Sequence, residues 1–208
     1  MTIDKKEHWE TVYKTKTPEQ VSWTQEIPRT SLDFIASLNA EKTAKIIDIG
    51  GGDSKLVDCL LDDGYKNITV LDISKKAIDK AKARLGDRAE LVNWVVSDII
   101  NFKPNTTYDI WHDRAAFHFL TTPEAINCYI ELTKNAVSGF MILGTFSENG
   151  PEKCSGLAIS QYSENTLEHT FKGDFSKLNC KTEDHTTPFN TTQNFVFCSF
   201  EKRNKLRT

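Results

Sequence analysis

Residues 45–54 read Lys-Ile-Ile-Asp-Ile-Gly-Gly-Gly-Asp-Ser, a β-branched run that stops at three consecutive glycines. A short apolar run of this kind predicts a buried strand from Lys45 to Ile49 that enters a tight turn. Glycine adopts positive φ readily and lets the backbone come close to a ligand. The stretch therefore predicts the first strand of an α/β sheet, with a ligand-binding turn at its carboxyl end.

On the C-terminal side of this stretch, strand and helix patterns alternate. Helices are predicted from about Lys55, after a Ser74 cap, from Pro123 and after a Ser163 cap. Further strands are predicted at residues 68–71, 91–96, 108–112 and 140–143, and residues 177–187 and 194–200 predict a final antiparallel hairpin. This alternation predicts an α/β fold with a mostly parallel sheet.

The length of 208 residues predicts a single domain, with its core at residues 40–208. Residues 1–30 precede the first strand and contain Trp9, Tyr13 and Trp23, which makes them too aromatic for a solvated tail. We predict that this segment is a lid over a bound cofactor or acceptor. The alternative is that its aromatic residues are simply part of the core.

Charge and composition exclude several classes of protein. A net charge of −3 argues against nucleic-acid binding by bulk charge. The sequence has no apolar run near ~18 residues, which argues against a membrane span, and its charged N-terminus predicts a cytoplasmic protein. None of the five cysteines forms a C-x-x-C pair, so we expect reduced, mostly buried thiols and no metal site. The oligomeric state is left open.

Carboxylates recur at the ends of the predicted strands. Asp48 and Asp53 flank the glycine turn, which suits an amine or a cationic centre better than a pyrophosphate. Asp72 follows the second strand, ~20 residues past the turn, where a carboxylate can accept hydrogen bonds from both ribose hydroxyls. Asp98 ends the third strand and could accept a bond from an exocyclic amine. For each residue alone, capping of the next turn is an alternative interpretation.

Four stretches together, residues 46–52, 70–74, 97–99 and 108–111, resemble the class I S-adenosylmethionine-dependent methyltransferases. The resemblance implies a Rossmann-like, doubly wound, seven-stranded sheet with a C-terminal antiparallel hairpin, and S-adenosylmethionine as the cofactor. It implies that Asp48 and the glycines hold the methionine end, that Asp72 binds the ribose, and that Asp98 and Ile99 lie at the adenine. With the lid, the predicted cofactor contacts are Trp9, Tyr13, Trp23, Asp48, Gly50, Gly51, Gly52, Asp72, Ile73, Asp98 and Ile99.

Two other functions were weighed. A dinucleotide fingerprint that starts at Gly50 needs a small residue at position 55, where this chain has Lys55. Together with the acidic turn, this disfavours an NAD-dependent oxidoreductase. A cofactor-binding protein of the same fold that lacks catalysis is the second alternative.

Residues 111–119 read Trp-His-Asp-Arg-Ala-Ala-Phe-His-Phe and follow the fourth strand, where the resemblance implies the donor methyl. We predict catalytic roles for three residues here. Asp113 would hold the methionine amine or orient an acceptor amine, and His112 or His118 would accept a proton. The Asp-Arg pair resembles segments of small thiol methyltransferases and of certain protein-lysine methyltransferases. The acceptor is therefore predicted to be a small molecule or a protein lysine.

Overall fold

The computed structural model of this chain describes residues 4–203. Seven strands form the main sheet: β1 Lys45–Ile49, β2 Asn67–Asp72, β3 Val92–Val96, β4 Tyr108–Arg114, β5 Val137–Phe146, β8 Phe175–Thr186 and β9 Thr192–Lys202. Two short strands, β6 Lys153–Cys154 and β7 Leu157–Ala158, pair with each other. The strand order in the main sheet is β3-β2-β1-β4-β5-β9-β8.

Six α-helices accompany the strands: α1 Lys5–Thr15, α2 Arg29–Ser37, α3 Leu56–Asp62, α4 Lys75–Leu85, α5 Pro123–Ala136 and α6 Glu164–Phe171. The predicted caps are present. The Ser74 side chain accepts from the Ala77 amide, the Ser163 side chain accepts from the Thr166 amide, and Gly86 ends α4 with a φ of 59°. Local capping chemistry thus determines where these helices begin and end.

Strands β1 to β5 are parallel, and β9 runs antiparallel to both β5 and β8. The predicted seven-stranded sheet with its C-terminal hairpin is confirmed. Asp48 of β1 is in register with His112 of β4 and with Val70 of β2. Because the carboxyl ends of parallel strands meet at one edge, this register brings the predicted site residues to the same edge.

The core has two layers, one on each face of the sheet. Ile46 and Ile110 belong to one buried cluster, and the adjacent Ile47 and Trp111 belong to the other. This split follows from the alternation of side chains along a strand. Buried side chains on both faces explain why the central strands are continuous apolar runs rather than alternating ones.

Several boundaries differ from those predicted. Helix α2 lies across the predicted limit of the lid, and its Phe34 and Ile35 are buried in the core. Strand β4 continues to Arg114 because residues 112–114 still pair with β5. A polar residue such as His112 or Asp113 carries no strand signal of its own, so the sequence pattern ended too early.

The expectation of reduced, mostly buried thiols is wrong. Cys180 and Cys198 face each other across β8 and β9 and form a disulfide, with their Cα atoms 4.2 Å apart. Directly opposed residues of antiparallel strands come this close, and the sequence separation of 18 residues hides the pairing. Of the free cysteines, Cys154 is buried but Cys128 is exposed.

Within residues 4–203, no helix combines the length and the apolar character that a membrane crossing requires. The same residues contain no cluster of three or more histidine, cysteine or acidic side chains arranged to hold a metal ion.

Candidate active site

A cavity of about 510 Å³ lies at the carboxyl edge of the parallel strands. Most of the predicted site residues line it: Trp9, Tyr13, Trp23, Asp48, Gly50, Gly51, Asp72, Ile73, Asp98, Ile99 and His112. Gly52, Asp113 and His118 are not among the lining residues. The structure thus brings ten of the eleven predicted cofactor contacts to one cavity, whereas two of the three predicted catalytic residues do not line it.

The glycine turn is compact because two carboxylates pack against it. A Cβ atom at Gly51 would lie 2.5 Å from Asp48 Oδ2, and one at Gly52 would lie 2.5 Å from Asp72 Oδ2. Gly50 has a φ of +66°, which few other residues adopt. Gly52 therefore leaves room for the Asp72 carboxylate, and its predicted contact with the cofactor stays a prediction.

Asp72 is a buried carboxylate with few partners. Its Oδ1 accepts a hydrogen bond of 2.7 Å from the Ser74 amide. Burial, with a smaller contribution from the nearby Asp48 and Glu10, raises its pKa to about 7, against the opposing effect of the Ser74 amide. A ligand that donates hydrogen bonds to this carboxylate would favour its charged form.

Asp48 is held by a buried chain of hydrogen bonds. His112 Nδ1 lies 2.7 Å from Asp48 Oδ1, and His112 Nε2 lies 2.9 Å from Ser31 Oγ. Because an ionised carboxylate only accepts, we assign the Nδ1 proton to the bond with Asp48, and Nε2 then accepts from the Ser31 hydroxyl. All three residues line the cavity. The sequence did not indicate Ser31, which is brought here by the unpredicted helix α2.

Asp98 has the capping role that its sequence position allowed, and its predicted contact with the adenine stays a prediction. Its side chain accepts a hydrogen bond of 3.2 Å from the Ile100 amide, which caps a short 3-10 turn. Asp98 and the neighbouring Ile99 also line the cavity. Capping fixes the carboxylate without removing it from the site.

The N-terminal aromatic residues form one cluster beside the cavity. The ring centroid of Trp9 lies 5.4 Å from that of Trp23 and 5.3 Å from that of Phe119. Glu10 fastens α1 to the start of α4, where it accepts from the amides of Lys75 at 2.7 Å and Lys76 at 3.1 Å. The sequence did not identify Glu10. One sequence feature could have pointed to Glu10: α4 has no acidic residue in its own first turn, where a carboxylate is favourable.

The structure gives Asp113 a different environment from the predicted one. Its side chain is fully buried, Oδ1 accepts from the amides of Ala116 and Phe117, and Oδ2 accepts from the Tyr129 hydroxyl at 2.7 Å. Burial raises its pKa to about 6 despite these bonds. This geometry does not support a direct contact with donor or acceptor. Asp113 instead holds the turn after β4, since side chains alternate and His112 takes the face toward the cavity.

His118 is likewise a core residue in this structure. It is fully buried, and its ring centroid lies 4.8 Å from that of Phe146 and 4.6 Å from that of Phe119. Burial and the nearby Arg114 lower its pKa to about 3, so the imidazole stays neutral. The predicted catalytic role of His118 finds no support in this position.

The turn is less acidic than its sequence indicated. Arg84 of α4 forms ion pairs with both Asp53 and Asp58, and its Nη2 lies 2.9 Å from Asp58 Oδ2. Asp53 is therefore neutralised, and Asp48 and Asp72 remain as the cavity's carboxylates beside the turn. Arg84 lies 31 residues from Asp53 along the chain, and the sequence pattern offered no signal for this pair.

Comparisons with known proteins agree with this arrangement. Residues 46–136 match the family model described as a methyltransferase domain. A malonyl-[acyl-carrier protein] O-methyltransferase of Anoxybacillus flavithermus (strain DSM 21510 / WK1) is 32% identical over 105 residues, which cover 50% of this chain and 39% of that protein. The matched region thus spans well under half the length of this relative.

Solved structures share the fold over nearly the whole chain. An S-adenosylmethionine-dependent methyltransferase from Anabaena variabilis ATCC 29413 has a TM-score of 0.75 at 14% identity, covering 97% of this chain and 96% of that one. The N-methyltransferase NodS from Bradyrhizobium japonicum WM9, in complex with S-adenosylhomocysteine, has a TM-score of 0.68 at 14% identity, covering 86% and 90%. At sequence identities this low, the similarity shows a shared fold.

The sheet order and the cavity at the carboxyl edge of the sheet are typical of Rossmann-like enzymes. The match to the methyltransferase-domain model indicates which Rossmann-like enzymes this chain resembles. Residues 46–136 carry a methyltransferase domain, and the chain shares the fold of S-adenosylmethionine-dependent methyltransferases. The resemblance and the fold predicted from the four motif stretches are confirmed.

Proposed function

We propose that this chain transfers a methyl group from S-adenosylmethionine to a small-molecule acceptor bound in the same cavity. The observation that carries the proposal is the convergence of Asp48, Asp72 and Asp98 on one cavity, beside a turn of three glycines. Each carboxylate lies at or just beyond the carboxyl end of a different parallel strand, so the pairing of the strands, rather than one local motif, creates the group.

The residues present fit this cofactor. Asp72 is a buried acceptor with room for hydroxyl donors, as a ribose requires, and Asp48 beside Gly51 suits an amine. Ile73 and Ile99 supply apolar walls near Asp98, which suits an adenine ring. The turn also lacks the small residue that a dinucleotide fingerprint needs, since Lys55 occupies that position.

Bound S-adenosylmethionine would supply an activated methyl group on a sulfonium centre. The protein's task is then mainly to hold an acceptor in line with that methyl, and effective molarities of ~10⁵ M or more arise from such positioning. Trp9, Trp23 and Phe119 form an aromatic wall beside the cavity, which suits both a cationic centre and an apolar acceptor. Trp9 and Trp23 belong to residues 1–30, the segment for which we propose the role of a lid.

His112 is the residue best placed to influence chemistry. It lines the cavity and is held by Asp48 and Ser31 on its two ring nitrogens. Since both nitrogens already have partners, we propose that His112 orients Asp48, and that the acceptor loses its proton to solvent or to a rearranged Ser31–His112 pair.

A small molecule is favoured over a protein lysine as the acceptor. The cavity volume of about 510 Å³ falls within the usual range of small-molecule sites. The lid residues Trp9 and Tyr13 cover it from one side, which restricts the approach of a folded protein surface. The relative that acts on malonyl-[acyl-carrier protein] supports an acceptor other than a lysine side chain.

The decisive test is a methyl-transfer assay with labelled S-adenosylmethionine on fractionated small molecules and, separately, on a protein extract. We expect label and S-adenosylhomocysteine to appear with the small-molecule fraction. Labelled protein would identify a protein or protein-bound acceptor instead, and base-stable label on lysine would identify a lysine side chain. Cofactor binding without any transfer in either extract would favour the alternative of a non-catalytic binding protein.

A further inference from the structure

Arg114 places a positive charge at the cavity without forming an ion pair in the described part of the chain. It is the last residue of β4, two positions after His112, so both side chains leave the same face of the strand. Both residues line the cavity. Across residues 4–203, no carboxylate lies within ion-pair distance of the Arg114 guanidinium.

The guanidinium is only partly satisfied by the protein. Its Nη1 donates a hydrogen bond of 3.0 Å to the backbone oxygen of Trp23, and the group lies 4.9 Å from the ring centroid of Phe195. Nε is buried without an acceptor, and Nη2 donates to no residue that the structure describes. Two of its three nitrogens therefore lack a hydrogen-bond acceptor.

Asp48 and Glu183 both lie near enough to favour the charged form of Arg114, and both are already engaged. Asp48 Oδ1 lies 2.7 Å from His112 Nδ1. Glu183 pairs with Lys181, at 3.1 Å, and accepts from the Thr30 hydroxyl. Burial lowers the pKa of Arg114 to about 10, so the group is still charged at neutral pH. Arg114 is half-buried, and a half-buried charge without an ion-pair partner lowers the stability of the folded state. Its presence at a cavity is typical of a site in which the ligand supplies the opposite charge.

We propose that Arg114 binds a carboxylate of the methyl acceptor, which makes the acceptor a small organic acid with an apolar body. This inference rests on the proposed methyl transfer. The planar guanidinium pairs with carboxylates through parallel N–H bonds, and its free nitrogens permit that mode. Trp23 and Phe119 line the same cavity and provide apolar walls for the rest of the acceptor.

A carboxylate fits this position better than a phosphate. A phosphate dianion is usually bound by more than one cation. Of the other cations that line the cavity, Arg84 is paired with Asp53 and Asp58, and Lys55 is paired with Glu26. Lys5 and Lys80 donate to backbone oxygens, which leaves the exposed Lys16. The thiol of Cys154, which also lines the cavity, has its pKa raised to about 12 by burial and adds no competing negative charge.

The test uses the full chain saturated with S-adenosylhomocysteine and titrated with four probes of matched shape. These are phenylacetate, phenylacetamide, phenethylamine and phenyl phosphate, each measured by calorimetry or ligand-observed NMR. Phenylacetate should bind at least about tenfold more tightly than the other three. Arg114→Gln should abolish this preference while it leaves S-adenosylhomocysteine affinity within about twofold.

Lys16→Gln is the matched control, because it removes a charge from an exposed residue of the same cavity. It should keep the carboxylate preference, and Arg114→Lys should weaken it. The proposal is overturned if phenylacetate does not bind, or if phenyl phosphate or phenylacetamide binds as tightly as phenylacetate. It is also overturned if Arg114→Gln keeps the preference for phenylacetate, or if Lys16→Gln loses that preference to the same extent. If Arg114→Gln does not fold, the wild-type probe series and the Arg114→Lys variant still test whether Arg114 binds a carboxylate. Failure of the wild type to bind S-adenosylhomocysteine would instead refute the proposed function.

Discussion

His112 of β4 and Asp48 of β1 are paired in register, and their side chains meet inside the cavity with Nδ1 2.7 Å from Oδ1. Parallel strand pairing alone puts these two residues side by side, although 64 positions separate them in the sequence. The contact joins the strand that precedes the glycine turn to the strand that leads to Arg114. Cofactor and acceptor binding are therefore expected to be coupled through it.

Replacement of His112 tests this contact directly. His112→Ala leaves the Asp48 carboxylate buried and without its partner, so we expect cofactor affinity to fall by about 1–3 kcal/mol. Ser31→Ala removes only the bond at Nε2 and should have the smaller effect. Calorimetry with S-adenosylhomocysteine measures both. Equal affinities for wild type and His112→Ala would remove His112 from the site.

His118→Ala should act on stability instead. The ring is packed against Phe146 and Phe119 in the core, and its removal leaves a cavity there. We expect the free energy of unfolding to fall by about 2–4 kcal/mol, with cofactor affinity retained. Denaturant unfolding provides the measurement. A variant of unchanged stability but lost methyl transfer would restore the catalytic role predicted from sequence.

Asp72 should make cofactor binding depend on pH. Its pKa of about 7 in the free protein means that the carboxylate is largely protonated near pH 6 and largely ionised near pH 8. Ribose hydroxyls donate to the ionised form, so affinity should fall by about tenfold as the pH is lowered across that interval. Asp72→Asn should bind more weakly and lose this dependence. A pH profile that persists in Asp72→Asn would assign it to another group.

The raised pKa values of Asp72 and Asp113 should also make the stability of the free protein depend on pH. The folded-state pKa of Asp72, about 7, and that of Asp113, about 6, both exceed the reference value of 3.8. The folded state therefore binds these protons more tightly, and this contribution to stability is lost as the pH rises from about 4 to 7. Thermal unfolding of wild type and Asp72→Asn across this range should show a smaller decline in the variant.

Asp113→Asn should affect the fold more than the chemistry. The substitution replaces one acceptor oxygen by a donor facing the Tyr129 hydroxyl, which already accepts from Trp111 Nε1. We expect a loss of about 1–3 kcal/mol in unfolding free energy, with little change in cofactor affinity. Tyr129→Phe removes the same bond from the other side and serves as the matched variant. A ~10²-fold loss of turnover in a protein of unchanged stability would support the direct role first predicted.

Glu10 offers a test of the proposed lid. Its carboxylate caps α4 and so fastens α1 beside the cavity. Glu10→Ala should weaken cofactor binding by about 1 kcal/mol while the core stays folded. Glu7→Ala removes an exposed charge from the same helix and should have no effect on cofactor binding.

Deletion of residues 1–26 tests the proposed lid as a whole. It should give a folded core with weaker cofactor binding, and an insoluble product would assign the segment to the core instead.

The sequence predicted those features that depend on local chemistry. The run at Lys45–Ile49, the Ser74 and Ser163 caps and the carboxylates at strand ends each have a signal within a few residues. Features that depend on tertiary contacts had no such local signal in the sequence. Ser31 reaches His112 over 81 positions, and Arg84 reaches Asp53 over 31.

The same reasoning explains the two weakest site predictions. Asp113 and His118 were predicted near the donor because they follow the predicted strand at residues 108–112. The direction of the Asp113 side chain depends on where that strand ends. Strand β4 extends to Arg114, which directs His112 and Arg114 to the cavity and buries Asp113 on the opposite side. A pattern that stopped at residue 112 could not make that distinction.

The central claim is that the cavity between Asp48, Asp72 and Asp98 binds S-adenosylmethionine. Isothermal titration of the full chain with S-adenosylhomocysteine, and separately with NAD, tests it most directly. We predict micromolar-range binding of the first and no detectable binding of the second, with the first weakened by about 2–4 kcal/mol in Asp72→Ala. Binding of NAD in place of S-adenosylhomocysteine, or an affinity unchanged in Asp72→Ala, would contradict the account.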